Sequence, residues 1–273
     1  ISTFILGDVC NKSDWIKALK DQDAVIHLAA ETGTGQSMYY ITRYNDVNIL
    51  GTSHLLDFLA NENHSIKKMI IASSRSIYGE GKYNCETHGV IYPNERDESN
   101  MMNGKFDLFC NVCGSELELM STDEGSKIHP SSIYGITKQQ QEQMILLMGK
   151  SLGISAVALR YQNVYGPGQS LSNPYTGILS IFSTRMLNGN DIDIYEDGEE
   201  SRDFVFINDV VDATTLALEK NEANHQIFNV GSGVATTVSQ VANLLKKLYN
   251  SDANISIRGN FRLNDIRHNY ADL

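Results

Sequence analysis

Apolar positions along this chain follow two spacings. Residues 24–29 (Ala-Val-Ile-His-Leu-Ala), 67–73 and 155–160 are near-continuous apolar runs of strand length, the pattern of parallel strands buried on both faces. Between them the period changes to three and four. Ile41, Tyr44, Val47, Asn48, Leu55, Phe58 and Leu59 predict one helix over 37–61, and a Gln-rich amphipathic helix is predicted over 133–152. A short helix over 13–20 is expected, capped by Ser13 or Asp14. Thr3–Leu6 reads as a further strand. After Gly166-Pro-Gly168 the order is mixed: a helix over 176–188, strands near 192–195 and 203–206, and helices over 208–219 and 238–249. There is no internal repeat. Alternation of strand and helix predicts an α/β fold, a doubly wound parallel sheet. Segment 80–130 departs from it: little periodicity, rich in Gly, Asn, Glu and Cys, too long for a bare loop, hence an insertion with its own stabiliser.

Composition narrows the classes. At 273 residues and 41% hydrophobic, the chain can bury a sizeable core. Its net charge of −11 excludes a general nucleic-acid surface. It leaves open an anionic small molecule held by a few placed arginines. No run approaches the roughly 18 apolar residues that span a bilayer, so no membrane role is expected, and with no signal peptide read the location is expected to be cytoplasmic. The chain opens at Ile1 without Met and inside a predicted strand, which reads as a fragment. A doubly wound sheet asks for a glycine-rich phosphate loop. The only near match, Gly33-Thr34-Gly35, has Met38 where the third glycine belongs, so it is either a weak pyrophosphate loop or a plain strand-to-helix turn.

A series of segments resembles the NAD-dependent epimerase/dehydratase family of extended short-chain dehydrogenase/reductases. They are Gly7-Asp8-Val9, His27-Leu28-Ala29-Ala30, Asn48-Ile-Leu-Gly51-Thr52, Ala72-Ser73-Ser74-Arg-Ser76-Ile-Tyr78-Gly79, Tyr134-Gly-Ile-Thr-Lys138, Leu159-Arg-Tyr161-Gln-Asn163-Val-Tyr165-Gly166-Pro167 and Arg202-Asp-Phe204-Val-Phe-Ile-Asn-Asp209. The resemblance runs from about residue 5 to the end. It implies a Rossmann-type fold, truncated at its start because the family's glycine-rich loop and first two strands belong upstream of Ile1. It also implies two interleaved parts, an NAD-binding domain (1–165, carrying insertion 80–130) and a small, mainly substrate-binding domain (166–273). With the phosphate loop missing, NAD binding by this chain alone is expected to be very weak. Implied NAD contacts are Asp8, Val9, Leu28, Ala29, Ala30, Asn48, Ala72, Ser73, Tyr134, Lys138 and Tyr161. Implied substrate contacts are Thr32, Ser76, Asn163, Arg202 and Arg262.

Tyr134-x-x-x-Lys138 is weak alone in a chain with 13 Tyr. Its placement at the start of a long helix, after a Ser-rich strand end, gives it weight over a surface aromatic–cation pair. A spacing of four puts both side chains on one helical face. The family role is oxidation of a sugar hydroxyl: Tyr134 is the base, Ser74 orients the proton, and Lys138 lowers the phenol pKa and holds the nicotinamide ribose. Dehydratases of the family carry Thr-Asp-Glu where this chain has Ser74-Arg75-Ser76, so water elimination is disfavoured. The expectation is 4-epimerisation of a nucleotide-diphosphate sugar. Net dehydrogenation or reduction is the same-class alternative, and an inactive NAD-fold fragment the alternative from another class. Arg202 and Arg262 suit the substrate phosphates, with a simple Arg202–Asp203 ion pair as the plainer reading.

Cys85-x-x-His88 and Cys110-x-x-Cys113 have the spacing of a structural zinc site and predict a zinc-ribbon-like insertion; four unrelated loop residues are the alternative. Cys10 is left as a buried thiol. The insertion, taken with stretch 168–177, resembles that of bacterial nucleotide-sugar 4-epimerases. Helices 37–61 and 133–152 are the surfaces such enzymes pair as homodimers, against ordinary core burial of the same stripes.

Overall fold

The computed structural model describes residues 2–171 and 177–273. Strand Lys68–Ser74 is buried along all seven residues. It lies at the heart of a four-stranded sheet in the order Ala24–His27, Lys68–Ser74, Ser155–Tyr161, Ile227–Val230, parallel throughout. Only a strand covered on both faces can be buried along its whole length. One cover includes Trp15, Leu19, Leu55, Phe58, Leu59 and Ile145. The other packs Val210 and Ala217, from helix Ile207–Glu219, on Ile70, Val157 and Leu159. The predicted doubly wound α/β architecture is therefore present. Strand Ile227–Val230, from the C-terminal part, completes this first sheet.

Helix Ile133–Leu152 has its predicted bounds, capped by Ser132, whose side chain accepts from Gly135 N at 3.0 Å. A Cβ at Gly135 would lie 2.6 Å from the Ser76 carbonyl oxygen, so glycine there lets the helix start close against the loop after Ser74. Three expectations need correction. Residues 3–6 form no strand: the edge strand Ala24–His27 pairs only Lys68–Ser74 among the described residues, and Phe4 and Leu6 are each 87% exposed. The first helix is Lys12–Leu19, capped by Asn11 instead of Ser13 or Asp14. The helix expected over 37–61 is broken into Thr34–Ser37, Ile41–Tyr44, a π-turn at Asn45–Leu50 and Gly51–Asn61. The π-turn carries the buried Asn48, whose amide bonds Glu31 N (2.8 Å), Glu31 O (3.1 Å) and Thr137 Oγ1 (2.9 Å).

The C-terminal part has a second core of Phe182, Met186, Ile192, Ile194, Val238, Val241 and Leu245. It joins helices Ile178–Leu187 and Val238–Tyr249 to the paired strands Ile192–Ile194 and Ile255–Ile257. The expected start of the first of these helices, at 176, lies outside the described residues, as do residues 172–176 of stretch 168–177. Strand Ser201–Phe206 is flanked by Ala235–Thr237, Asn163–Tyr165 and His268–Asn269. The insertion has a small antiparallel sheet, Gly89–Ile91, Tyr83–Cys85, Glu118–Leu119, over Tyr83, Cys85, Leu108, Cys110 and Leu117. Ion pairs bolt it to the second part. Arg96 pairs with Glu196 (2.8 Å). Arg267, 1% exposed, pairs with Glu196 (2.9 Å), Asp197 (2.7 Å) and the insertion's Asp107 (2.9 Å). The Arg267 backbone N–H donates to Glu80 at 2.8 Å. No described helix is long and apolar enough to cross a membrane.

Candidate active site

A cleft of about 930 Å³ opens at the carboxyl ends of the parallel strands, where open α/β sheets bind ligands. Of the residues expected to bind or react, Leu28, Ala30, Thr32, Ala72, Ser73, Ser74, Ser76, Tyr134, Lys138, Tyr161, Asn163, Arg202 and Arg262 line it. Asp8, Val9, Ala29 and Asn48 do not. Asp8 accepts from Cys10 N, and the Val9 carbonyl accepts from the Trp15 indole. Asn48 lies behind the wall, tying the Glu31 loop to helix Ile133–Leu152.

Strand Lys68–Ser74 delivers Ser74, and the first turn of the long helix delivers Tyr134, whose backbone N–H donates to Ser37 Oγ at 3.0 Å. Burial pushes the Tyr134 phenol up; a hydrogen bond with Ser74 and the charge of Arg75 pull it back. The cation acting on Tyr134 here is thus Arg75, which the motif reading passed over. Lys138 donates to Gln141 Oε1 at 2.9 Å, and burial brings its ammonium down to about 7. Gln141 in turn donates to Thr52 Oγ1 (2.8 Å), which lies 3.0 Å from His27 Nε2. Burial first, and Lys138 second, hold the His27 imidazole down at about 3, so it is neutral.

Other cleft residues already have work. Ser73 donates to Glu142 (2.6 Å), which also pairs with the buried Arg160 (2.6 Å). Tyr161 Oη is 2.8 Å from Thr214 Oγ1. Arg202 does not pair with Asp203: that carboxylate accepts from Ser232, Gly233 and Ala271, and Arg202 faces Asp265 at 3.4 Å. Arg262 is exposed, its guanidinium 5.0 Å from the centre of the Tyr195 ring. Outside the lining of the cleft, the insertion gathers Cys85, His88, Cys110 and Cys113. Cys85 Sγ is 3.4 Å from His88 Nδ1 and 3.6 Å from Cys113 Sγ, Cys110 Sγ is 3.6 Å from His88 Nδ1, and all four lie within 4.8 Å of one another.

A strand-end Ser, a helix-borne Tyr-x-x-x-Lys and a cleft over parallel strands define a short-chain dehydrogenase type of site. The sequence profile of the NAD dependent epimerase/dehydratase family matches residues 1–96 and 110–231, and the chain belongs to that family. Among its relatives, dTDP-L-rhamnose 4-epimerase of Burkholderia thailandensis is 35% identical over 98% of this chain and 73% of that protein. The UDP-glucose 4-epimerase of Thermotoga maritima, solved with UDP-glucose, superposes with a TM-score of 0.78. It is 30% identical, over 97% of this chain and 74% of that one. The UDP-glucuronic acid 4-epimerase of Bacillus cereus, solved with UDP-glucuronic acid and NAD, is 25% identical over 97% of this chain and 71% of that one, with a TM-score of 0.75.

Proposed function

We propose that this protein is an NAD-dependent nucleotide-sugar 4-epimerase. The observation that carries the reading is one cleft lined by Ser74, Tyr134 and Lys138 together with Arg202 and Arg262. NAD, when bound, accepts the hydride from sugar C4 and returns it. Tyr134 takes the O4 proton as that carbon is oxidised, and Ser74 holds the hydroxyl in line. Lys138 binds the nicotinamide ribose. The 4-keto sugar turns over in the cleft, and Tyr134 gives the proton back on the other face. Arg202 and Arg262 hold the diphosphate through the turn, with Asn163 beside them. Residues 1–165 are the NAD-binding part, and 166–273 mainly the substrate part.

Incubation with saturating NAD and either UDP-glucose or dTDP-L-rhamnose tests this. The expected result is the 4-epimer of one of them, with no net NADH. Stoichiometric NADH formation would favour the dehydrogenase reading instead.

The insertion is assigned a structural zinc ion on Cys85, His88, Cys110 and Cys113. Tetrahedral zinc, with Zn–S about 2.3 Å and Zn–N about 2.0 Å, separates its ligands by about 3.8 Å (S to S) and about 3.5 Å (S to N). The separations in this chain, 3.6 and 3.4 Å, fit that pattern and are far too long for a disulfide. With four protein ligands no position is left for substrate, so the ion supplies folding energy only. Protein purified without chelator is expected to hold about one equivalent of zinc, and Cys110→Ser to lose most of it. Zinc-free wild type would overturn the assignment. The reading includes a homodimer through the two long helical segments, supported by the exposed Ile41, Leu50, Ile136 and Leu147. It also includes a cytoplasmic location, where free thiols such as these persist.

A further inference from the structure

Buried polar atoms without partners gather in the cleft. Arg75 Nη1, Asn163 Oδ1 and both polar atoms of the Gln162 side chain are buried with no hydrogen bond, and all three residues line the cleft. Buried side chains of this kind are nearly always bonded, so a cluster of exceptions marks a place where a ligand completes the set. Other buried arginines in this chain are well partnered. Arg160 bonds Glu142, the Tyr78 hydroxyl and the Glu124 carbonyl, and Arg267 bonds Asp107, Glu196 and Asp197. Arg75 has no hydrogen bond or ion pair among the described residues.

Position says which part of a ligand the pair meets. The sheet register sets Ser74 opposite Tyr161. Arg75 and Gln162 are therefore the next residues off the carboxyl ends of adjacent strands. Arg75 follows Ser74 directly, which sets it beside the strand-end serine and on the side of the cleft that holds Tyr134. Arg202, proposed above for the diphosphate, comes from another segment but is close enough to act electrostatically on Arg75, so the free nucleotide is the control that separates the two subsites.

We propose that Arg75 and Gln162 form the subsite for two neighbouring hydroxyls of the substrate sugar, next to the carbon whose hydroxyl faces Ser74 and Tyr134. This rests on the epimerase reading. A guanidinium only donates, so it takes a sugar oxygen's lone pair. A carboxamide both donates and accepts, as a hydroxyl partner must. An apolar substituent at this point would leave both side chains unpaired, so the subsite selects a hydroxylated ring face.

Calorimetric titration of wild type, R75M and Q162L tests this. The probes are UDP against UDP-glucose, and dTDP against dTDP-L-rhamnose. For the sugar nucleotide that wild type binds, each variant is expected to bind about 10–100-fold more weakly. Affinity for the matching free nucleotide should stay within about twofold, because the sugar is what the subsite contacts. R75M should melt close to wild type, since Arg75 makes no hydrogen bond or ion pair among the described residues. Equal losses with and without the sugar would move Arg75 and Gln162 to the diphosphate and overturn the proposal; so would unchanged sugar-nucleotide affinity in both variants. Wild type that binds no sugar nucleotide refutes the epimerase reading itself, and this inference with it.

Discussion

Tyr134→Phe is expected to lower kcat by about 10²–10⁴ while leaving sugar-nucleotide affinity within a few-fold. In the proposed mechanism this substitution removes the proton acceptor, the Tyr134 phenol, without removing bulk. Burial alone would hold that phenol protonated; Ser74 and Arg75 pull the other way, and a bound nicotinamide cation would add to them. Ser74→Ala should therefore cost less than Tyr134→Phe, because Arg75 still favours the phenolate. Steady-state epimerisation and calorimetric binding on the same preparations separate the two effects. Near-normal turnover by Tyr134→Phe would remove tyrosine from the mechanism.

Arg267→Met is expected to destabilise the protein by about 3–5 kcal/mol, the usual effect of removing one member of a buried ion pair. For a chain this long that is a fall in Tm on the order of 10 °C. The guanidinium is 1% exposed and bridges Asp107 of the insertion to Glu196 and Asp197. Without it Glu196, itself buried, keeps only Arg96. Thermal unfolding followed by circular dichroism reads the change. A fall of less than about 1 kcal/mol would mean that the half-exposed Asp107 and Asp197 leave the network screened by water.

What could be read from sequence is what local pattern carries. Strands Lys68–Ser74 and Ser155–Tyr161 are covered on both faces, so their central residues, 69–72 and 156–159, are uniformly apolar. Ser74, Tyr134 and Lys138 sit at spacings that a strand end and a helix turn convert directly into one wall. The Cys and His residues that the insertion gathers come in short local pairs. Thr3–Leu6 has a strand's composition, yet strand formation needs a hydrogen-bonding neighbour that no local pattern encodes. The break in helix 37–61 comes from Asn48 reaching 89 residues ahead to Thr137. Strands Asn163–Tyr165 and Ala235–Thr237 are too short for a period to register. The network around Arg267 joins residues up to 187 positions apart. Arg75 and Gln162 lie within family-like sequence motifs, but their unpaired polar atoms exist only in three dimensions.

The bolting of the insertion to the wall bearing Glu196 and Arg202 has a thermodynamic corollary. The zinc ion proposed for the insertion and a sugar nucleotide in the cleft would be linked ligands. Linkage is reciprocal: whatever the metal contributes by stiffening the cleft, an occupied cleft returns as slower loss of metal. Starvation for substrate and starvation for zinc would then weaken the enzyme through the same set of arginines.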